Sequence, residues 1–302
     1  MVVVDDASED DSVERIQAFP CRLVRMAGRV GVSRARNAGA RASSGELLFF
    51  IDSDCLLERD ALSTANASYG RRTDLVLGGT YTPIPHDDDF FSAFQSISVS
   101  HFETKNPRPD YVAAHAMVVD AKLFERSGGF GGNSFMGVDA AVEDVELCHR
   151  LRRAGCELAM DPGLRVKHVF RFSLARSLRN AFRKSRTWTR YSLVNRDLLA
   201  DSGAASLELK TNVLSCAAAA VLLAGAAVTG SVWPLLGAAS LLAMDLSVNR
   251  GLVAAWSRTK GWPFSALAVL YYTTLYAAAV GVGAALGAAQ HLRAARSARG
   301  LS

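Results

Sequence analysis

The chain is short of charge, and what charge it has is unevenly spread. Only 21% of its 302 residues are charged, and beyond residue 201 the only acids are Glu208 and Asp245. A solvated domain surface needs more, so the Ala, Leu, Val and Gly-rich stretch from Ser206 onward fits an ordinary soluble module poorly. Five cysteines, an odd number, show no CxxC or other metal spacing. That argues against a zinc site or a disulfide framework and for reduced thiols facing the cytosol. No secretory signal is expected from the opening residues, since Met1-Val2-Val3-Val4-Asp5-Asp6 has no basic run and turns acidic at once. Acid is absent again from Arg165 to Arg190, a window that holds nine Lys or Arg.

What is present begins with Asp52-Ser53-Asp54, two carboxylates at the end of the apolar run Leu47–Ile51. That run is short, continuous and preceded by Gly45, the pattern of a strand buried on both faces. Acid at the exit of such a strand sits at the carboxyl edge of a sheet, where open α/β folds bind ligands. Two carboxylates one residue apart there suit a hard divalent cation, which in turn holds phosphate oxygens. A solvated acidic turn is the other reading of the same triplet. Around it, strand and helix alternate: strands at Val2–Val4, Cys21–Met26, Leu75–Tyr81 and Tyr111–Val119, and helices at Ser8–Gln17, Ser33–Ser43, Asp60–Tyr69 and Phe90–Phe102. Such alternation predicts a mainly parallel sheet. A fold opening directly on a buried strand leads us to expect that a strand and a helix ahead of Val2 belong to it.

Four motifs in order carry a resemblance. They are Val2-Val3-Val4-Asp5-Asp6; Arg34-Ala35-Arg36-Asn37-Ala38-Gly39 followed by Ser44-Gly45-Glu46; Asp52-Ser53-Asp54; and Gly128-Gly129-Phe130 followed by Glu143-Asp144-Val145-Glu146-Leu147 and Arg150-Leu151. Over about residues 1 to 190 the chain resembles family 2 glycosyltransferases. The resemblance implies a GT-A fold, a Rossmann-like mixed α/β sheet, and transfer of a sugar from a nucleoside-diphosphate donor. It maps Asp6 to the donor base, with Asp5 beside it on the substrate side, and Arg36 to the nucleotide. Asp54, with Asp52 near the ribose or a metal water, maps to a Mg²⁺ or Mn²⁺ ion that offsets charge on the departing diphosphate. Asp144 maps to the base that deprotonates the acceptor hydroxyl in an inverting transfer. His168, after Leu164-Arg165-Val166-Lys167, maps to a metal or diphosphate contact.

Each assignment has a plainer alternative. Asp5 fits an acidic turn capping the next helix, Arg36 an ion pair on its own helix, and Glu143 a first-turn acid favoured by the helix dipole. A lone His on a strand is more often packed than ligating. We carry Glu143 as substrate-binding. The Gly131–Gly137 stretch reads as a lid or a loose loop.

Cations and aromatics interleave at helical spacing from Leu174 to Arg190, the pattern of a basic helix lying on an anionic membrane surface. Nucleic acid would use the same residues, but three apolar segments follow at Val213–Thr229, Val232–Val248 and Phe264–Ala289. The first two are near the ~17-residue minimum for a span, and the third exceeds it. Lys210, Arg250, Arg258 and Lys260 fit a hairpin with cytoplasmic ends. Arg293, Arg296 and Arg299 then fall on the wrong side if all three segments cross, so either the tail breaks the rule or one segment is re-entrant. Asp245 within the second segment is costly in lipid unless protein or headgroups meet it.

The resulting expectation is a catalytic domain over residues 1–170, a basic interface helix and linker over 171–208, and a membrane region of two to three helices over 209–302. The enzyme reading is a multi-pass transferase of the inner cell membrane, with its catalytic domain in the cytoplasm and a lipid-linked or envelope-glycan acceptor. A processive synthase is disfavoured, because Arg183-Lys184-Ser185-Arg186-Thr187-Trp188 departs from the Q-x-x-R-W block. The rivals are an inactive nucleotide-sugar-binding subunit and a membrane scaffold. A nucleic-acid partner is not expected.

Overall fold

A computed structural model describes residues 1–131 and 142–299. It divides into two compact units: Met1–Thr80 with Asn106–Val166, and Tyr81–Lys105 with Lys167–Ser302. The division is not a simple cut along the chain.

The first unit opens with β1 (Val2–Asp5), α1 (Ser12–Gln17), β2 (Arg22–Arg25), α2 (Val32–Ala42), β3 (Leu47–Ile51), β4 (Cys55–Leu57), α3 (Ala61–Tyr69) and β5 (Leu75–Tyr81). After α4 (Phe90–Thr104), which belongs to the second unit, come β6 (Ala116–Asp120), α5 (Ala121–Arg126), α6 (Glu143–Arg153) and β7 (Glu157–His168). Among the described residues, β1 pairs with β2 in parallel, and a second sheet has the order β3-β6-β5-β7-β4.

The sheet is mixed rather than mainly parallel. β6 runs antiparallel to both neighbours, with Leu48 opposite Val119 on one side and Leu77 opposite Val118 on the other. Strand and helix alternation points to parallel pairing only where each crossover returns to the neighbouring position, and β6 enters instead between two earlier strands.

Two further differences have local causes. β3 alternates rather than being buried on both sides: Leu48 and Phe50 are buried, Leu47 and Phe49 half-buried, and Ile51 exposed. β6 begins at Ala116 although the apolar run starts at Tyr111. The first part of that run is drawn onto α6, where the Val112 N–H donates to Cys148 Sγ (3.3 Å) and the Ala114 N–H to Asp144 (3.2 Å). Under the sheet, Ala61, Ala65, Tyr69, Leu75, Leu77, Val118 and Leu164 form one core. The Tyr69 hydroxyl is satisfied there, donating to Leu75 O (2.7 Å) and accepting from the Asp120 N–H (2.8 Å).

The second unit is helical: α4, α7 (Leu174–Asn195), α8 (Leu207–Thr229), α9 (Trp233–Val248), α10 (Arg250–Lys260), α11 (Trp262–Tyr271), a π-helical turn at Tyr272–Tyr276, and α12 (Ala277–Arg299). Asp89 caps α4 by accepting from the Phe91 and Ser92 N–H groups (3.0 Å each). Its core is aromatic: Phe94, Trp256, Tyr271 and Tyr272 are all at most 5% exposed. Trp256 Nε1–H donates to Ser98 Oγ (3.2 Å), satisfying the buried indole. Two helical stretches, Leu207–Thr229 and Trp262–Ser297, are long and apolar enough to cross a membrane, and Trp233–Val248 is a shorter apolar helix.

Candidate active site

The site is built from strand ends and helix starts of the first unit. β3 delivers Asp52, and a turn closed by the Cys55 N–H on Asp52 O (3.0 Å) then presents Asp54. Asp52 is half-buried and Asp54 exposed. α2 supplies Arg36, whose Nη2 donates to Asp52 Oδ1 (2.5 Å) and whose Nη1 donates to Glu143 Oε1 (2.6 Å). One guanidinium therefore joins the acid at the end of β3 to the acid at the start of α6, 107 residues away from Arg36 in the chain. The contact is not a helix-surface pair. It brings together three of the residues singled out from sequence and sets Asp144 beside them.

Electrostatics follow from enclosure. Burial works against the Arg36 charge, but Asp52 and Glu143 outweigh it and hold the guanidinium more firmly protonated than usual. Burial pushes the Glu143 carboxyl up to about 7, and the neighbouring Asp144 carboxylate adds to the rise. Asp144 is also raised by burial, against the pull of Arg36 and of hydrogen bonds from the Ala114 and Val145 N–H groups (3.2 and 2.8 Å). Burial thus raises the proton affinity of both adjoining carboxyls. Glu143 Oε2 is buried and has no hydrogen-bond partner among the described residues. It is an acceptor left open beside the pair.

The other candidates fall as follows. Asp5 is buried at the end of β1 and accepts from the Ser8 N–H (3.1 Å). It does not cap α1, which starts at Ser12. Asp6 accepts from the Val30 and Gly31 N–H groups (2.7 and 2.9 Å), so it holds the entry to α2. Through that entry it sets the position of Arg36. His168 ends β7 and lies in the second unit, stacked on Phe170 at 3.8 Å with Tyr81 edge-on at 5.0 Å. From 132 onward, the Gly131–Gly137 stretch lies outside the described residues.

Sequence reading missed a clamp on the Gly128-Gly129-Phe130 loop. Asn37 Nδ2 donates to Phe130 O and the Phe130 N–H donates back to Asn37 Oδ1, both at 2.9 Å. From α6, Arg150 donates to Ser127 O and to Gly129 O (2.7 Å) while pairing with Glu146. Gly129 has φ +69°, and a Cβ there would lie 2.5 Å from Asn37 Oδ1, so both conformation and space require glycine. Arg36 lies over the Phe130 ring at 5.4 Å, tying clamp and charge bridge together. Asn37 and Arg150 stood inside the quoted motifs, but their partners are backbone atoms, which side-chain patterns do not report.

Residues 1–128 match the family model described as Glycosyl transferase family 2. Among curated proteins, the chain is 26% identical over 209 residues to polypeptide N-acetylgalactosaminyltransferase 13 of Rattus norvegicus, covering 57% of this chain and 35% of that protein. It is 27% identical over 97 residues to glycosyltransferase GlyG of Streptococcus pneumoniae, covering 30% of this chain and 32% of the other. The chain thus spans about a third of the length of these relatives. Among solved structures, it is similar in fold to the mannosyltransferase PcManGT of Pyrobaculum calidifontis, solved in complex with GDP-Man and Mn²⁺. That match has a TM-score of 0.52 and 20% identity, and covers 96% of this chain and 77% of that one.

Proposed function

From the match of residues 1–128 to the glycosyl transferase family 2 model, we propose that the chain is an inverting, membrane-anchored glycosyltransferase acting from a nucleotide-sugar donor. The observation that carries the proposal is the Arg36 bridge from Asp52 to Glu143, because it sets a diphosphate-side acid and a base-side acid at a fixed separation. Oriented groups of this kind are what group transfer requires.

In this reading Asp6 and the α2 entry face the donor base and ribose, with Asp5 behind them, and Arg36 lies along the nucleotide. Asp54 and Asp52 hold a divalent cation, Mg²⁺ or Mn²⁺. Their chemistry fits such an ion, since both offer hard carboxylate oxygens on one short turn and Asp54 is open to solvent. A role for His168 as a further ligand rests on the sequence resemblance. The bound cation would supply charge neutralisation for the departing diphosphate.

Asp144 takes the proton of the acceptor hydroxyl while that oxygen bonds to the anomeric carbon and the bond to the diphosphate breaks on the opposite face. Glu143 accepts a substrate hydroxyl through its open Oε2 and holds Arg36 in place. GDP-Man in PcManGT is a donor of the proposed class. The catalytic domain faces the cytoplasm, and the acceptor is a lipid-linked or envelope glycan of the inner membrane, in which the second unit is anchored. Support for that placement comes from its apolar helices, of whose most hydrophobic windows only 22% and 33% is buried in the fold.

The test is binding of UDP-, GDP- and dTDP-sugars to detergent-solubilised protein with and without Mn²⁺, beside Asp54→Asn. Metal-dependent binding that disappears in the variant is expected, and equal binding by both proteins would overturn the metal assignment. NMR of the product's anomeric configuration then decides inversion against retention.

A further inference from the structure

The third apolar segment does not stand alone, and its partner decides where the tail of the chain lies. α12 packs along the basic helix α7. A Cβ on Gly283 would lie 2.4 Å from Phe182 O, and one on Gly287 would lie 2.4 Å from Arg186 O. Glycines four apart on α12 thus meet carbonyls four apart on α7, so the helices run side by side in the same direction at backbone contact. Ser185 Oγ donates to Val280 O (2.9 Å), and the Tyr271 hydroxyl meets Ser177 Oγ (2.8 Å). On α7 the inward residues Ser177 and Ala181 are buried, while Arg176, Arg179, Arg183 and Lys184 are exposed.

If α12 crossed a bilayer, α7 would cross with it and carry those four exposed cations into hydrocarbon, where charged groups are strongly disfavoured. The Trp262–Ser297 stretch is itself long and apolar enough to cross, so the cations on its neighbour decide against it. Its outer side still exposes Leu275, Val282 and Leu286. An apolar strip on one helix beside a row of cations on the next is the layout of a pair lying in the interface plane.

We propose that α7 and α12 form one interfacial pair on the bilayer surface, its cations facing anionic lipid headgroups. The α8–α9 hairpin is then the inserted element. Its helices pack on each other, with the Gly237 Cβ position 3.1 Å from Leu222, yet Leu214, Val221, Val228, Trp233 and Leu236 stay exposed. This arrangement keeps Arg293 and Arg296 on the same side as α7, which removes the conflict with the cytoplasmic excess of positive charge. The inference rests on the membrane placement proposed above.

The test uses the full chain in sealed membrane vesicles of one orientation, carrying Ala175→Cys on α7 or Ala294→Cys on α12, both exposed positions. A membrane-impermeant maleimide is applied, and labelled sites are mapped by mass spectrometry. Both cysteines are expected to label from the same face. Labelling from opposite faces, with the chain still retained after carbonate washing, would overturn the interfacial pair and leave the membrane placement standing. Release by carbonate without detergent would overturn both.

Discussion

The two units place polar groups in opposite ways. In the first, charged side chains collect at one edge of the sheet and answer each other: Arg36 joins Asp52 and Glu143, with Asp144 alongside. In the second, the interior is aromatic, and apolar side chains that a soluble domain would cover stay exposed. Its fully buried acid, Asp245, is answered at one oxygen by an amide, Oδ1 accepting from Asn249 Nδ2 at 2.9 Å, while Oδ2 has no hydrogen-bond partner among the described residues. A folded chain gains most of its stability from apolar burial. The first unit sets some of that gain against two enclosed carboxyls with raised proton affinity, a cost expected at a catalytic centre and rarely elsewhere. The second unit encloses Asp245 as well, but among the described residues it gathers no cluster of charges around it and leaves much apolar surface exposed.

The comparison breaks most easily at Asp144. Asp144→Asn is expected to lower kcat by about 10² to 10⁴-fold, the usual contribution of a positioned base, while thermal stability falls only modestly, by the one backbone N–H that the amide nitrogen cannot accept. Steady-state kinetics beside a melting curve check both halves. A large loss of stability with little loss of rate would make Asp144 a structural acid and erase the contrast.

Trp256 is the mirror case. It is fully enclosed between Phe94 and Tyr272, so Trp256→Ala should destabilise the second unit by about 3–5 kcal/mol. Denaturant unfolding in detergent measures this. A loss under about 1 kcal/mol would show a core able to collapse into the space, unlike close-packed interiors.

How much of this was legible beforehand depended on distance along the chain. β3 and β5 were readable to the residue, because a short apolar run bounded by turn residues depends on neighbours alone. The acids at the end of β3 and the start of α6 were readable as motifs. That Arg36 joins them was not, because its two partners lie 16 and 107 residues away. The start of β6 was missed for the same reason, since Val112 and Ala114 give their N–H groups to α6. Composition overstated the independence of the third apolar segment: hydropathy counts what a helix carries and says nothing of the carbonyls that Gly283 and Gly287 admit.

The smallest expected effect is the most specific. Burial and Asp144 lift the Glu143 carboxyl from about 4.5 to about 7. A group raised on folding stabilises the folded state fully below its unfolded value, and that contribution is lost as pH rises through the folded value. Wild-type stability relative to Glu143→Gln should therefore decline between about pH 4.5 and 7 and level off above. The glutamine keeps an acceptor for Arg36 Nη1, so the bridge geometry survives. Removing one ionisable partner also leaves Asp144 nearer the Arg36 charge alone, and the acid limb of kcat/KM should move to lower pH. Melting curves and rate profiles on the same two proteins report both shifts. An acid limb that stays in place would mean that Glu143 and Asp144 titrate independently, and the carboxyl pair would then be an arrangement of neighbours and not a functional unit.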